Sequence, residues 1–436
     1  MRSDGPAATG ETVRSGRLWD EVFSSANLVT ALKRVERNRG TAGVDGMETT
    51  QLRAFIREHW AQVRTVLDAG TYRPSPVRQV MIPKPDGGQR KLGVPTVLDR
   101  LIQQAIAQVL SPVFDPGFVP VSYGFRPGKS AHQAVKVAQL VIGQGFRWVV
   151  EVDLDAFFDR VNHDILMSRV ARKVKDKRLL KLIRAYVEAG IMVDGVRQPV
   201  REGTPQGSPL SPLLSNIMLD DFDQEFWARG HRFVRYADDI RVFVKSRRAA
   251  ERVLEQSTRV LEGRLKLRVN TAKSSIGPAT TAVLLGFGFF FTRAGVKIRV
   301  APQAWSRAKA RLRELTSRRW SVSMAYRIMR LNQYVRGWMG YFRLADTPRK
   351  FSDLDEWFRR RMRQVRWIEW KRPRTRVASL RALGVRPDLA WQWGMSSRGS
   401  WRVAGSPVLQ RGLPNGYWDR RGLVVFHQAW ARFRTT

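Results

Sequence analysis

The amino-acid sequence predicts an α+β fold. Three observations carry that expectation. First, VRQVMIP and RKLGVP flank the tight KPDGGQ turn within residues 77–95, and Gly there supplies the positive φ that a hairpin needs. Second, WVVEV at 148–152 reads as a buried strand, and FVRY and IRVFV flank an Asp-Asp pair at 238–239 as a second hairpin would. Third, residues 97–111, 130–144 and 247–267 carry apolar side chains at helical spacing.

The elements follow in order. The first 17 residues, with Gly, Ser, Pro and mixed charge, read as a loose start. From Trp19 to about Asp68 the pattern is helical, broken at 38–46 by NRGTAGVDG, where three glycines in nine residues mark a loop. The stretch VLLGFGFFF at 283–291 is the most apolar in the chain, and a buried strand explains it. Beyond Pro302 long basic helices are expected, with a boundary at WKRPRT, 370–375. The last 60 residues are rich in Gly and Trp and poorly periodic, and no short repeat or low-complexity tract is visible.

Composition narrows the partners. Of 436 residues, 43% are hydrophobic, enough for real cores in two or three domains. Lys plus Arg number 77 against 38 Asp plus Glu, a net charge of +39. An enzyme acting on small substrates has no need of that surplus. A polyanion partner does, because each neutralised phosphate releases condensed counterions. The charge is uneven: residues 301–436 hold 30 basic and 8 acidic side chains, together with 11 of the 15 Trp. Cations interleaved with rings suit phosphates and bases, although most of these Trp are expected to be helix-packing core. The absence of Cys excludes disulfides and thiolate zinc sites, and the five His lack metal-ligand spacing. No signal peptide and no membrane-length apolar run is visible, so a cytoplasmic location and no membrane partner are expected.

In so basic a protein, clustered acids need a reason. Asp238 and Asp239 in YADD repel each other unless a cation sits between them, and a turn alone rarely needs two. A second acidic strand end, VDLD at 152–155, follows WVVEV. Period 2 puts Glu151, Asp153 and Asp155 on one face, so spacing does not choose among them. Together such carboxylates are hard oxygen ligands of the kind that hold Mg²⁺. Two ions about 3.5–4 Å apart activate a 3′-hydroxyl and stabilise leaving pyrophosphate. Nearby, GTPQGSPLSPLLSNIML (203–219) joins a Gly/Pro loop to a helix start, where backbone can approach a base or phosphate and Gln206 can hydrogen-bond a substrate. Lys84 and Arg90 flank the PDGG turn and would present two cations to a triphosphate.

With these motifs in this order, the sequence resembles the group II intron-encoded reverse transcriptase/maturase family over roughly residues 19–434. NLVTALKRVERNRGTAGVDG looks like its N-terminal extension, and MIPKPDGGQRKLGVPT and YGFRPGKSAHQA look like its fingers motifs. VDLDAFFDRVNHDIL, GTPQGSPLSPLLSNI, YADD, LKLRVNTAKS and LLGFGF are similar to successive palm motifs. RLNQYVRGWMGYFRLAD resembles the maturase, or X, region that serves as polymerase thumb.

The resemblance implies a right-hand polymerase: helical fingers with a hairpin, an antiparallel palm sheet, a three-helix thumb and a small basic C-terminal module. The expected divisions are 1–68 for the N-terminal extension and start of the fingers, 69–300 for fingers and palm, 301–373 for the thumb and 374–436 for the C-terminal module. It implies Asp153, Asp238 and Asp239 as catalytic ligands of two Mg²⁺ ions, with Mn²⁺ a possible substitute, and leaves Asp155 out. It implies Lys84, Arg90, Phe158, Gln206 and Lys273 as nucleotide contacts, with the Phe158 ring screening the sugar 2′-position. Arg126, Lys371 and Arg372 are expected at RNA or DNA. Arg359, Arg363 and Arg366 join them because helical spacing sets the three on one side, as a phosphate track would.

The implied partners are an RNA template with DNA primer, deoxynucleoside triphosphates, the intron RNA and target DNA. The implied function is RNA-directed DNA polymerisation, with splicing assistance and retrohoming by target-primed reverse transcription. Without Cys or paired His, the zinc-bound HNH-type nuclease of the family is expected to be absent. Two other readings stay beside this one: a splicing factor whose polymerase has decayed, and a reverse transcriptase recruited to host defence or repair.

Overall fold

The computed structural model describes residues 17–83, 87–193, 196–198, 202–204 and 207–435. Lys84 and Gln206 lie outside the described residues. The chain is α+β and divides into two compact units, one up to Pro278 and the other from Ala279.

The first unit opens with helices that match the broken periodicity. Ser25–Asn38 starts where the Ser24 hydroxyl accepts from Asn27 N–H and ends at Arg39 in the left-handed region, φ 45°. After the glycine-rich loop comes Leu52–Asp68. Two sheets follow. Their strands are β1 (Val77–Pro83), β2 (Gln89–Val94), β3 (Trp148–Val152), β4 (Ile191–Val193), β5 (Val196–Gln198), β6 (Arg232–Tyr236), β7 (Asp239–Val244) and β8 (Ser275–Pro278). β1 and β2 form the expected hairpin, and the sheet extends in the order β2-β1-β4-β5, with β1 and β4 running parallel. The second sheet, β6-β7-β3-β8, is antiparallel throughout. β3 is central in it, which is why Val149, Val150 and Val152 are all buried. Helices Val97–Phe114 and Ser211–Ala228 complete the same core with Ile102 and Phe222, and helix Ala131–Gly143 buries Ala138.

The helix expected over 247–267 is α-helical only across Arg247–Thr258. Arg259–Arg264 widens into a π turn closed by Leu265 N–H to Val260 C=O at 3.3 Å. The Glu262 carboxylate then reaches Val269 N–H at 3.0 Å, and Val260, Leu261 and Leu265 stay buried.

In the second unit, the apolar run at 283–291 is not one strand. β9 (Val283–Leu284) turns back into β10 (Phe287–Thr292), which pairs with β11 (Gly295–Val300). The turn residues Leu285 and Gly286 both have positive φ, 52° and 80°, as a two-residue primed turn requires. Three long helices follow as expected, Pro302–Leu315, Met324–Phe342 and Pro348–Glu369. The poorly periodic tail is helical too, in six short pieces from Pro373–Ala382 to Phe426–Thr435. Three of them begin on Pro, whose fixed φ suits the first helical position. The last is anchored by Asp355, whose carboxylate accepts from Phe426 N–H at 2.7 Å and His427 N–H at 2.9 Å. Of the eleven Trp beyond residue 300, only Trp391 and Trp401 are exposed. Among the described residues, no helix is long and apolar enough to cross a membrane.

Candidate active site

The Asp-Asp pair lies where the sequence puts it. β6 and β7 pair down to Tyr236↔Asp239, leaving Ala237 and Asp238 as the turn. Ala237 has φ 58°, a left-handed conformation that an alanine adopts only when its surroundings impose it. Those surroundings are visible. A Cβ on Gly124 would come within 2.2 Å of the Ala237 nitrogen, so the YGFRPG segment can lie against the turn only because position 124 is Gly. Tyr123 N–H donates to Arg235 C=O at 2.8 Å, and Arg235 N–H to Val121 C=O at 3.1 Å, which fixes that segment along β6.

Beneath the turn is a buried polar network. Arg235 and Asp223 are both 0% exposed and form a two-pronged ion pair, Nε to Oδ1 at 2.8 Å and Nη2 to Oδ2 at 2.5 Å. Arg235 Nη1 donates to the Ala237 carbonyl and to Asn216 Oδ1, each at 2.9 Å. The Asn216 amide in turn donates to Gly124 C=O at 2.9 Å. Helix Ser211–Ala228, the continuation of the SPLLSNI motif, thus supplies two side chains that hold the acidic hairpin from inside.

Asp153 arrives from β3. The β3/β7 ladder ends at Val152↔Ile240, so Asp153 and Asp239 leave it at the same end. Asp153 is clamped by the NTAKS segment: its N–H donates to Ser274 Oγ at 3.0 Å, and its carbonyl accepts from Asn270 N–H at 2.8 Å. Burial holds the Asp153 carboxyl above the usual range and Asp238 adds to that, while Lys273 and Arg241 act against it. Burial likewise pushes Asp239 up to about 6; Arg241 opposes, and Asp238, Glu151 and Asp153 reinforce. The three acids therefore act on one another through space. Among the described residues no three acidic or His side chains already form a cation cage. Asp239 instead forms an ion pair with Arg241, which also faces Glu151 at 3.5 Å. Asp155 turns away to Arg160, 3.1 Å off.

Other expected contacts divide. Phe158 is partly buried, edge-on to Phe157 at 5.1 Å. Its carbonyl accepts from Thr204 N–H at 2.6 Å, and a Cβ on Gly203 would meet that carbonyl at 2.8 Å. The start of the GTPQG loop is thus seated directly on the Phe158 backbone. Arg90 is exposed on β2 opposite Ile82, and Lys371 and Arg372 are exposed after helix Pro348–Glu369.

Arg126 and the arginine track are corrected. Arg126 is 6% exposed, bonded to Asp115 and to the carbonyls of Asp115, Val119 and Ser122, so it braces a turn and presents nothing to RNA. Arg363 is 8% exposed and donates to Ala404 C=O at 3.0 Å. Arg366 pairs with Glu369 at 2.7 Å, and the Arg359 Nε is buried. The three do share a side of the helix, but Arg363 is covered at Ala404 and Arg366 is engaged by Glu369, so they do not form one continuous open phosphate track.

Residues 82–289 match the family described as reverse transcriptase (RNA-dependent DNA polymerase), and residues 305–384 match the group II intron, maturase-specific domain. Protein YkfC of Escherichia coli (strain K12) is 35% identical over 310 residues, which are 62% of this chain and 81% of that protein. The group II intron-encoded protein LtrA of Lactococcus lactis subsp. cremoris is 35% identical over 209 residues, 48% of this chain and 35% of LtrA. This chain thus spans most of the first relative and about a third of the second. Among solved structures, a partial Cas6-RT-Cas1–Cas2 complex is similar at 27% identity and a TM-score of 0.36, covering 56% of this chain and 42% of the matched one.

Proposed function

Since this chain belongs to the reverse transcriptases of the group II intron-encoded kind, we propose that it copies RNA into DNA at Asp153, Asp238 and Asp239 and binds its own intron RNA to assist splicing. The observation that carries the reading is the acidic hairpin, held in a strained turn by Gly124 and the buried Arg235–Asp223–Asn216 network at the ladder end that Asp153 shares.

The donor set fits divalent magnesium. It offers hard carboxylate oxygens, and a cation would offset the burial, and the repulsion from neighbouring acids, that raise Asp239. Asp153, Asp238 and Asp239 would hold two Mg²⁺ ions, or Mn²⁺ in their place, which supply activation of the 3′-hydroxyl and neutralisation of the leaving pyrophosphate. The remaining work belongs to the chain. Arg241 pairs with Asp239, and Lys273 offsets the burial of Asp153. Phe158, fixed by the Gly203–Thr204 backbone, excludes the ribose 2′-hydroxyl and so favours deoxynucleotides. Arg90 holds the triphosphate together with Lys84, and Gln206 hydrogen-bonds the incoming nucleotide.

Splicing assistance asks for something else: charge neutralisation that lets packed RNA helices approach. The surplus of basic side chains in 301–436, with Lys371 and Arg372 exposed, supports that role. Target DNA is a further partner, reached in retrohoming by target-primed reverse transcription, and the cytoplasm is where these events would take place. The two activities separate: Asp238→Ala abolishes complementary-DNA synthesis and leaves protein-assisted splicing of the intron RNA at wild-type rate. Loss of splicing in a folded, RNA-binding variant would refute the separation.

A further inference from the structure

The second unit contains a cavity of ≈ 420 Å³ that the polymerase reading does not use. It lies between the N-terminal parts of two helices, Pro302–Leu315 and Pro348–Glu369, beside the end of β11. Its lining includes Arg299, Trp305, Lys309, Lys350, Asp353 and Leu354.

Three features give it a chemistry. First, it is cationic. Lys309 and Lys350 are exposed and carry no ion pair among the described residues. Arg299 spends one prong on Thr280 C=O, 2.6 Å away. The positive ends of two helix dipoles add to this field. Second, it contains buried donors that have no acceptor. The Nε of Arg299 and the indole Nε1 of Trp305 are both buried, and neither finds a partner among the described residues. Buried donors of this kind are costly unless something accepts from them. Third, the cavity is not merely a phosphate cradle. It is far larger than one phosphate, and Trp305 and Leu354 give it an apolar wall. Asp353, with no ion pair among the described residues, offers acceptor oxygens to a base amino group or a ribose hydroxyl, donors that a bare phosphate lacks.

We propose that this cavity takes a single unpaired nucleotide of RNA, its phosphate between Lys309 and Lys350 and its base against Trp305, within reach of Asp353. The inference rests on the RNA-binding reading above and adds a place and a preference to it: a bulged or flipped nucleotide rather than a regular duplex. Sequence-tolerant stacking plus charge is how single-stranded bases are held, whereas an A-form helix keeps its bases stacked and out of reach.

Two RNAs test it, a 20-base-pair duplex and the same duplex with one unpaired guanosine, each labelled and titrated with the full chain at fixed salt. The bulged RNA is expected to bind about tenfold more tightly, the scale of one stacked base. Lys309→Glu and Lys350→Glu, both at exposed positions that leave the fold intact, are expected to erase that preference while the perfect duplex is still bound. Equal affinity for the two RNAs in wild type, or a preference that survives both substitutions, overturns the pocket and leaves the RNA-binding reading standing. Failure to bind either RNA overturns both.

Discussion

At the scale of single residues, charge and burial decide what the acidic cluster does. Asp239 is pushed up to about 6, burial being the largest cause, so a proton would compete with a cation for this proposed metal ligand at mildly acid pH. The sign follows. On the proposed reading, Mg²⁺ affinity is expected to be full well above about pH 6 and to fall as pH drops below it, by about tenfold per pH unit for one displaced proton. Titrating Mg²⁺ against extension rate between about pH 5 and 8 reads this directly; an unchanging half-saturation point would contradict it.

Asp223 makes a different claim. Asp223→Asn leaves the Arg235 guanidinium buried without its counter-charge and is expected to cost about 3–5 kcal/mol, measured by denaturant unfolding. A change within a few tenths would mean that the network does not support the hairpin. Legibility also differed residue by residue. Two adjacent Asp between β-rich flanks announce a site in the sequence. Arg235 sits in the same string, but nothing in FVRY says that it points inward onto a carboxylate twelve residues earlier. Arg363 fails for the converse reason: helical spacing gives its face but not what packs there.

At the scale of elements, the site depends on one close approach. Gly124→Ala would drive a methyl into the Ala237 backbone, displacing the turn that carries Asp238. The expected result is a loss of at least about tenfold in extension rate, since a misplacement near 1 Å costs that much or more, with circular dichroism unchanged. Full activity would show that the turn position is not critical. Hairpins with a polar turn signal, at 77–95 and around 238–239, were legible in the sequence. The β9/β10 hairpin was not, because Leu285 occupies a left-handed turn position inside an unbroken apolar run. The six tail helices were missed because each is too short for helical periodicity to emerge, although Pro373, Pro387 and Pro407 marked three of their starts.

At the scale of the whole molecule, the α+β class and the match to both a reverse transcriptase and a maturase domain were legible in ordered motifs. The division after Pro278 was not, and the nearest boundary expected from the sequence is at 300. The net charge of +39 has its own consequence. RNA affinity should fall by about 10³ or more between 50 and 200 mM salt if six or more phosphates are neutralised. A binding constant insensitive to salt would remove the electrostatic basis for intron RNA binding.

The central claim is that this chain polymerises DNA on RNA at Asp153, Asp238 and Asp239. Primer extension on poly(rA) with oligo(dT), dTTP and Mg²⁺, run for the wild type beside Asp238→Ala, tests it most directly. Extension by the wild type alone is the predicted result. No extension by a folded, RNA-binding wild type, or equal extension by both proteins, would contradict it.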